Sequence, residues 1–158
     1  PIILIDTREQ RPYEYDATAD GVTTLRRKLD AGDYSISGAE ACIAIERKSI
    51  DDWVSTITHA RERFNEELKK LRALDRAYIV VEAGWDDVYE GRYARSITNP
   101  PRAVISRTIA IMSRYRIPVI FAGDRPTARD VVKDILLDYW RFRLPALRAK
   151  EEGGDTHE

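Results

Sequence analysis

Residues 44–52 constrain this chain more than any other stretch, because the hydrophobic period changes within them. Ala44-Ile45-Glu46-Arg47-Lys48 reads as the end of an apolar strand. From Ser49 onward Ile50, Trp53, Val54, Ile57, Phe64, Leu68 and Leu71 recur at about 3.6 residues, the inner stripe of one long amphipathic helix. The chain must therefore turn from sheet to helix at Ser49, where Ser49 and Asp52 have the spacing of a capping box. Alternate residues of a strand share a face. Glu46 and Lys48 then point into one space, and Arg47 points away.

Upstream, 33–36 and 41–48 read as the arms of a hairpin turning at Ser37-Gly38, which sets Asp33 of Gly32-Asp33-Tyr34 beside Glu46. An Asp, a Glu and a Lys converging there suit a hard divalent cation and a phosphate. Mg²⁺ or Mn²⁺ keeps waters and binds phosphate oxygens alongside one or two carboxylates. A lysine beside them orients a water or neutralises charge that builds in the transition state. Phosphodiester hydrolysis is the reaction these parts serve best.

The rest of the chain supplies a frame. Ile2-Ile3-Leu4-Ile5 has the continuous β-favouring pattern of a buried strand and ends at Asp6-Thr7-Arg8-Glu9. Val22, Leu25 and Leu29 have helical spacing, closed by Gly32. Tyr78 to Glu82 is a further buried strand, followed by a loop over 84–99 that is either mobile or functional. Pro100-Pro101 opens a helix with Arg102, Arg107 and Arg114 on its outer side. A short strand over 117–121 and a helix from Pro126 complete the pattern. Strands alternating with helices around one hairpin predict an α/β fold, a central mixed sheet flanked by helices on both faces. Trp140, Phe142 and Leu144 extend the last helix with an apolar surface that serves either a subunit interface or the core. The expected domain is 1–146, with 147–158 a disordered charged tail.

Composition excludes several classes. The 158 residues carry a formal net charge of -1, so charge alone neither announces nor excludes nucleic acid. Single Cys42 rules out an intramolecular disulfide framework and suits a small core position. No signal-like stretch opens the sequence and no apolar run reaches membrane length, which leads to the expectation of a soluble intracellular protein.

Asp6-Thr7-Arg8-Glu9, Gly32-Asp33-Tyr34 and Glu46-Arg47-Lys48 with Asp52, in this order and spacing, resemble the signature of the XPF-type structure-specific endonucleases. The similarity continues through Arg63-Phe64, the 78–82 strand, residues 99–103 and Ile117-Pro118-Val119. The resemblance implies a restriction-endonuclease-like fold, Mg²⁺ or Mn²⁺ dependence, cleavage of branched, flapped or forked DNA in repair or recombination, and homodimerisation through the nuclease domain. It assigns metal binding to Asp33 and Glu46, the catalytic lysine to Lys48 and supporting acids to Asp6 and Glu9. Arg47 and Asp52 match remaining signature positions, and Arg8 and Arg63 become candidates for DNA contacts. Asp52 retains its alternative as a helix cap. Two departures stand out: where the family commonly carries a tandem helix-hairpin-helix module these 158 residues end in a short acidic tail, and Glu67 replaces the Gln common after Arg-Phe. The sequence is consistent with an excised domain or a compact nuclease of a microbe, phage or mobile element. Competing readings are a non-catalytic partner of a nuclease, and a nuclease of the same fold acting on four-way junctions, plain duplex or RNA.

Overall fold

A computed structural model describes residues 1–94 and 98–154. Four strands, β1 (Ile2–Ile5), β2 (Thr23–Arg26), β3 (Tyr34–Ile36) and β4 (Ile43–Lys48), precede helices α1 (Ile50–His59) and α2 (Arg61–Arg72). Then follow β5 (Arg76–Val81), α3 (Trp85–Tyr89), α4 (Pro101–Tyr115), β6 (Val119–Phe121), α5 (Arg125–Asp138), a π-helical turn (Tyr139–Arg143) and α6 (Leu144–Gly154). The strands form one mixed sheet in the order β2-β1-β3-β4-β5-β6. The predicted α/β class is the observed one. β3 is antiparallel to both β1 and β4, whereas β4, β5 and β6 are mutually parallel.

Each face of the sheet buries its own core. Ile43 and Ile45 of β4 pack with Ile3, Ile36, Val80 and the α5 residues Val132 and Leu136. Ala44, on the opposite face, packs with Ile79 and Val81 and with Trp53, Val54, Ile57, Phe64, Leu68 and Leu71 from α1 and α2. Burying these side chains is worth roughly 1.5–3 kcal/mol each. The alternation of β4 therefore decides which face every charged residue at its end must take.

Four expectations need correction. Part of the expected 84–99 loop is helical, α3. The 22–29 segment holds a strand, β2, and no helix: Thr23 N–H donates to Pro1 O at 3.1 Å and Arg27 N–H to Ile5 O at 2.9 Å, so β2 pairs parallel to β1. Val22 and Leu29 are buried while Leu25 is 51% exposed, which breaks the helical stripe, and two adjacent β-branched threonines favour extension. The long helix is two, interrupted at Ala60 (φ -111°, ψ 35°). No Gly or Pro marks that break; Thr58 Oγ1 donating to Val54 O at 2.6 Å competes for the helical carbonyl just before it. Finally, helix continues past Pro145 to Gly154. The proline is accommodated because the preceding turn widens, Leu144 N–H donating to Tyr139 O. Residues 155–158 of the expected tail lie outside the described residues.

Candidate active site

β4 leaves the core at Glu46-Arg47-Lys48, where burial gives way to partial exposure. Asp33 is brought to the same place by backbone pairing alone. Its N–H donates to Ile45 O at 2.8 Å, and its carbonyl accepts Asp6 N–H at 2.8 Å. Its Oδ2 accepts Arg47 N–H at 2.8 Å. Gly32 makes this approach sterically possible. It holds φ +72°, and a Cβ there would lie 3.0 Å from Ala44 Cβ and 3.1 Å from Ile45 O.

On the α1–α2 face, Asp33, Glu46 and Lys48 line a cleft of about 380 Å³, with Arg63, Phe64 and Glu67 of α2 as its opposite wall. Lys48 Nζ lies 3.5 Å from Glu46 Oε1 and 5.9 Å from the Phe64 ring centroid. Burial pushes the Glu46 carboxyl well above the usual range, and the charge of Asp33 adds to this despite Lys48. Asp33 is also raised, first by burial; the Arg47 N–H opposes this, and Glu9 reinforces it. Two carboxylates held close enough to repel are stabilised by a cation between them.

The other face of β4 carries a closed ion network. Arg47 Nε and Nη2 donate to Glu9 Oε2 and Oε1 at 2.9 and 2.8 Å, and Nη1 donates to Glu82 Oε1 at 2.6 Å. Arg125 Nη1 and Tyr13 Oη donate to the same Glu82 oxygen at 3.0 and 3.2 Å. Two guanidiniums thus balance two carboxylates. Burial would raise Glu9, but Arg47 and the Arg11 N–H hold it below the ordinary carboxylate value.

The sequence candidates therefore divide. Asp33, Glu46 and Lys48 converge, as expected. Asp6 lies at the edge of the cleft, but its carboxylate is spent on Arg8 N–H, Nε and Nη2 and on Leu29 N–H. Although burial alone would raise it, these donors keep Asp6 ionised. It holds Arg8, whose side chain is 66% exposed, at the mouth of the cleft. Glu9 does not line the cleft; it anchors Arg47. Arg63 does line it. Asp52 donates its N–H to Ser49 Oγ at 3.2 Å, so Ser49 caps α1, but the Asp52 carboxylate makes no reciprocal bond among the described residues. Glu82, Arg125 and Tyr13 were not anticipated. Glu82 closes a buried strand just as Asp6 does, and that position was the available signal.

Among the described residues no group of three or more His, Cys, Asp or Glu side chains is arranged around a metal position. Two carboxylates nevertheless fit Mg²⁺ or Mn²⁺, which complete their octahedra with water and phosphate. Asp33 and Glu46 are the residues that would hold such an ion.

Comparison with known proteins bears on the family and the fold. The family model described as "ERCC4 domain" matches residues 5–135. The chain belongs to the ERCC4 domain family. No curated protein matches. Among solved structures, XPF from Aeropyrum pernix superimposes with a TM-score of 0.68 at 22% identity, over 86% of this chain and 60% of that one. XPF from the same organism in complex with DNA gives a TM-score of 0.65 at 24% identity, over 86% and 62%. This ERCC4 domain therefore has the fold of those XPF chains and spans about three fifths of their length. No described helix is long and apolar enough to cross a membrane.

The raised carboxyls give a stability prediction whose sign is fixed. A Glu with a native pKa above its unfolded value of 4.5 binds more protons when folded, so its unfavourable contribution appears as pH rises through that interval and is complete above it. Without divalent ions, Glu46→Gln is expected to be more stable than the parent at about pH 9, by on the order of 1 kcal/mol, with the gap closing toward about pH 4. Thermal melts across that range check this. A variant less stable than the parent throughout would contradict the crowded-carboxylate description.

Proposed function

We propose that this ERCC4 domain is the catalytic part of a metal-dependent endonuclease that hydrolyses DNA phosphodiester bonds, acting at branched, flapped or forked structures. The observation that carries the reading is the convergence of Asp33, Glu46 and Lys48 in one cleft at the exposed end of β4. A divalent ion bound by Asp33 and Glu46 would acidify a water and polarise the scissile phosphoryl group. Lys48 aims its ammonium into the same space, where it neutralises charge developing on the phosphoryl oxygens or orients the attacking water. Arg8, presented by Asp6, and Arg63, from α2, contact the flanking backbone phosphates. Arg47 touches no substrate in this scheme; pinned between Glu9 and Glu82, it keeps Glu46 and Lys48 facing the cleft. A purely non-catalytic partner would have no use for this crowding of carboxylates, whose burial is unfavourable without a cation.

The exposed apolar end of the molecule supports a second element of the proposal, homodimerisation. Trp140 and Phe142 are 39% and 70% exposed in the π-helical turn, whereas Tyr139 and Leu144 beside them are buried. In this reading Tyr139 and Leu144 fill the core, and Trp140 and Phe142 offer an apolar surface to a second copy.

Two measurements test these readings. Cleavage of flap, fork, four-way, duplex and single-stranded DNA with Mg²⁺ or Mn²⁺ is expected to favour branched substrates and to fall at least about hundredfold in Glu46→Ala and Lys48→Ala; undiminished cutting by either variant sinks the site. Light scattering is expected to give a dimer that Trp140→Glu/Phe142→Glu converts to a monomer, and a parent that is monomeric at high micromolar concentration contradicts the interface.

A further inference from the structure

Eight of the twenty arginines pair with carboxylates among the described residues: Arg8, Arg27, Arg47, Arg76, Arg92, Arg125, Arg129 and Arg143. Arg61 on α2 and Arg107 and Arg114 on α4 form none among the described residues. Two α2 carboxylates are already engaged, Glu66 by Lys69 and Glu67 by Lys70. α4 contains no acidic residue at all. Unpaired guanidiniums gathered on two adjacent helices create a local positive field in a chain whose net charge is -1.

These three arginines rim a groove of about 110 Å³ between α2 and α4, whose apolar lining includes Phe64, Ile111 and Tyr115. Phe64 is common to this groove and to the cleft that holds Lys48. The two recesses therefore adjoin at the α2 turn that carries Phe64, and a strand seated in the cleft has the groove beside it. The volume suits one base or one sugar-phosphate unit and not a double helix. An aromatic and apolar lining under a guanidinium rim is the combination that binds unpaired nucleic acid, with stacking for the bases and charge for the backbone.

We propose that the α2–α4 groove holds the single-stranded segment of the substrate next to the scissile phosphate, through Arg61, Arg107 and Arg114 and the apolar wall containing Phe64 and Tyr115. This rests on the nuclease reading and extends it, because it makes an unpaired strand beside the cut a feature the protein recognises directly. Arg107 and Arg114 are then specificity residues, seven apart on α4 and so on one helix face. They contact substrate without touching the reacting atoms.

Binding in EDTA isolates this claim from cleavage. Fluorescence anisotropy of labelled oligothymidylate and of a duplex of equal length is measured over a salt series for the parent, Arg107→Ala/Arg114→Ala, Arg107→Lys/Arg114→Lys and the cleft variant Glu46→Gln, each checked by thermal melting. The alanine pair is expected to lose roughly tenfold or more in single-strand affinity and about 1.4 in the log–log salt slope, two phosphate contacts' worth. Duplex affinity is expected to stay within about twofold of the parent. The lysine pair should retain the parent's salt slope, and Glu46→Gln, which removes a cleft carboxylate that repels phosphate, should weaken binding to neither DNA. Equal losses for both DNAs would reduce the groove to a nonspecific positive surface, and no loss for either would remove it from the binding site; both results overturn the proposal. Since no cutting occurs in EDTA, failure of the cleavage prediction leaves this result interpretable, and the converse also holds.

Discussion

Arg47 is the residue on which the geometry of this molecule turns. Its backbone belongs to β4, its N–H fixes the carboxylate of Asp33, and its guanidinium is gripped behind the sheet by Glu9 and Glu82. Because side chains alternate along a strand, locking Arg47 into one face locks Glu46 and Lys48 into the other. The desolvation cost of such a buried cation is offset only if its partners are well placed, and losing one partner of a buried pair costs about 3–5 kcal/mol. Here the partners come from the end of β1 and the end of β5, with Arg125 from the start of α5 completing the charge balance. The network therefore ties together the strands that must be in register for Asp33 and Glu46 to meet.

The same division explains why acids of one signature do different work. Asp6, Glu9, Asp33 and Glu46 all sit at strand ends near one another. Asp6 has four donors and Glu9 has three, so both stay ionised and inert. Asp33 receives a single N–H and Glu46 only a long contact to Lys48, so these two are crowded, poorly solvated and in want of a counter-charge. Environment rather than residue type separates the scaffold acids from the metal-binding candidates.

The strand-to-helix turn at Ser49, the hairpin that brings Asp33 to Glu46 and the outward turn of Arg47 were legible in the sequence, because each follows from a period or a turn residue within a few positions. The β2 strand was not, since Val22, Leu25 and Leu29 imitate a helical stripe and the pairing that overrides it lies with β1. The break at Ala60 was equally hidden, there being no Gly or Pro to announce it. The roles of Glu9 and Glu82 depend on a partner 38 and 35 residues away, respectively, and no local pattern encodes that. Arg107 and Arg114 could be placed on an outer helix face, but their lack of carboxylate partners emerges only once the whole chain is folded.

In the proposed mechanism Asp33 and Glu46 are the ligands of a catalytic divalent ion. Anomalous diffraction from crystals soaked in Mn²⁺ tests it most directly. An anomalous peak is expected between the Asp33 and Glu46 carboxylates, absent in Glu46→Gln crystals treated identically. A cleft without manganese in the parent, or a peak centred on Asp6 or Glu9 instead, would contradict it.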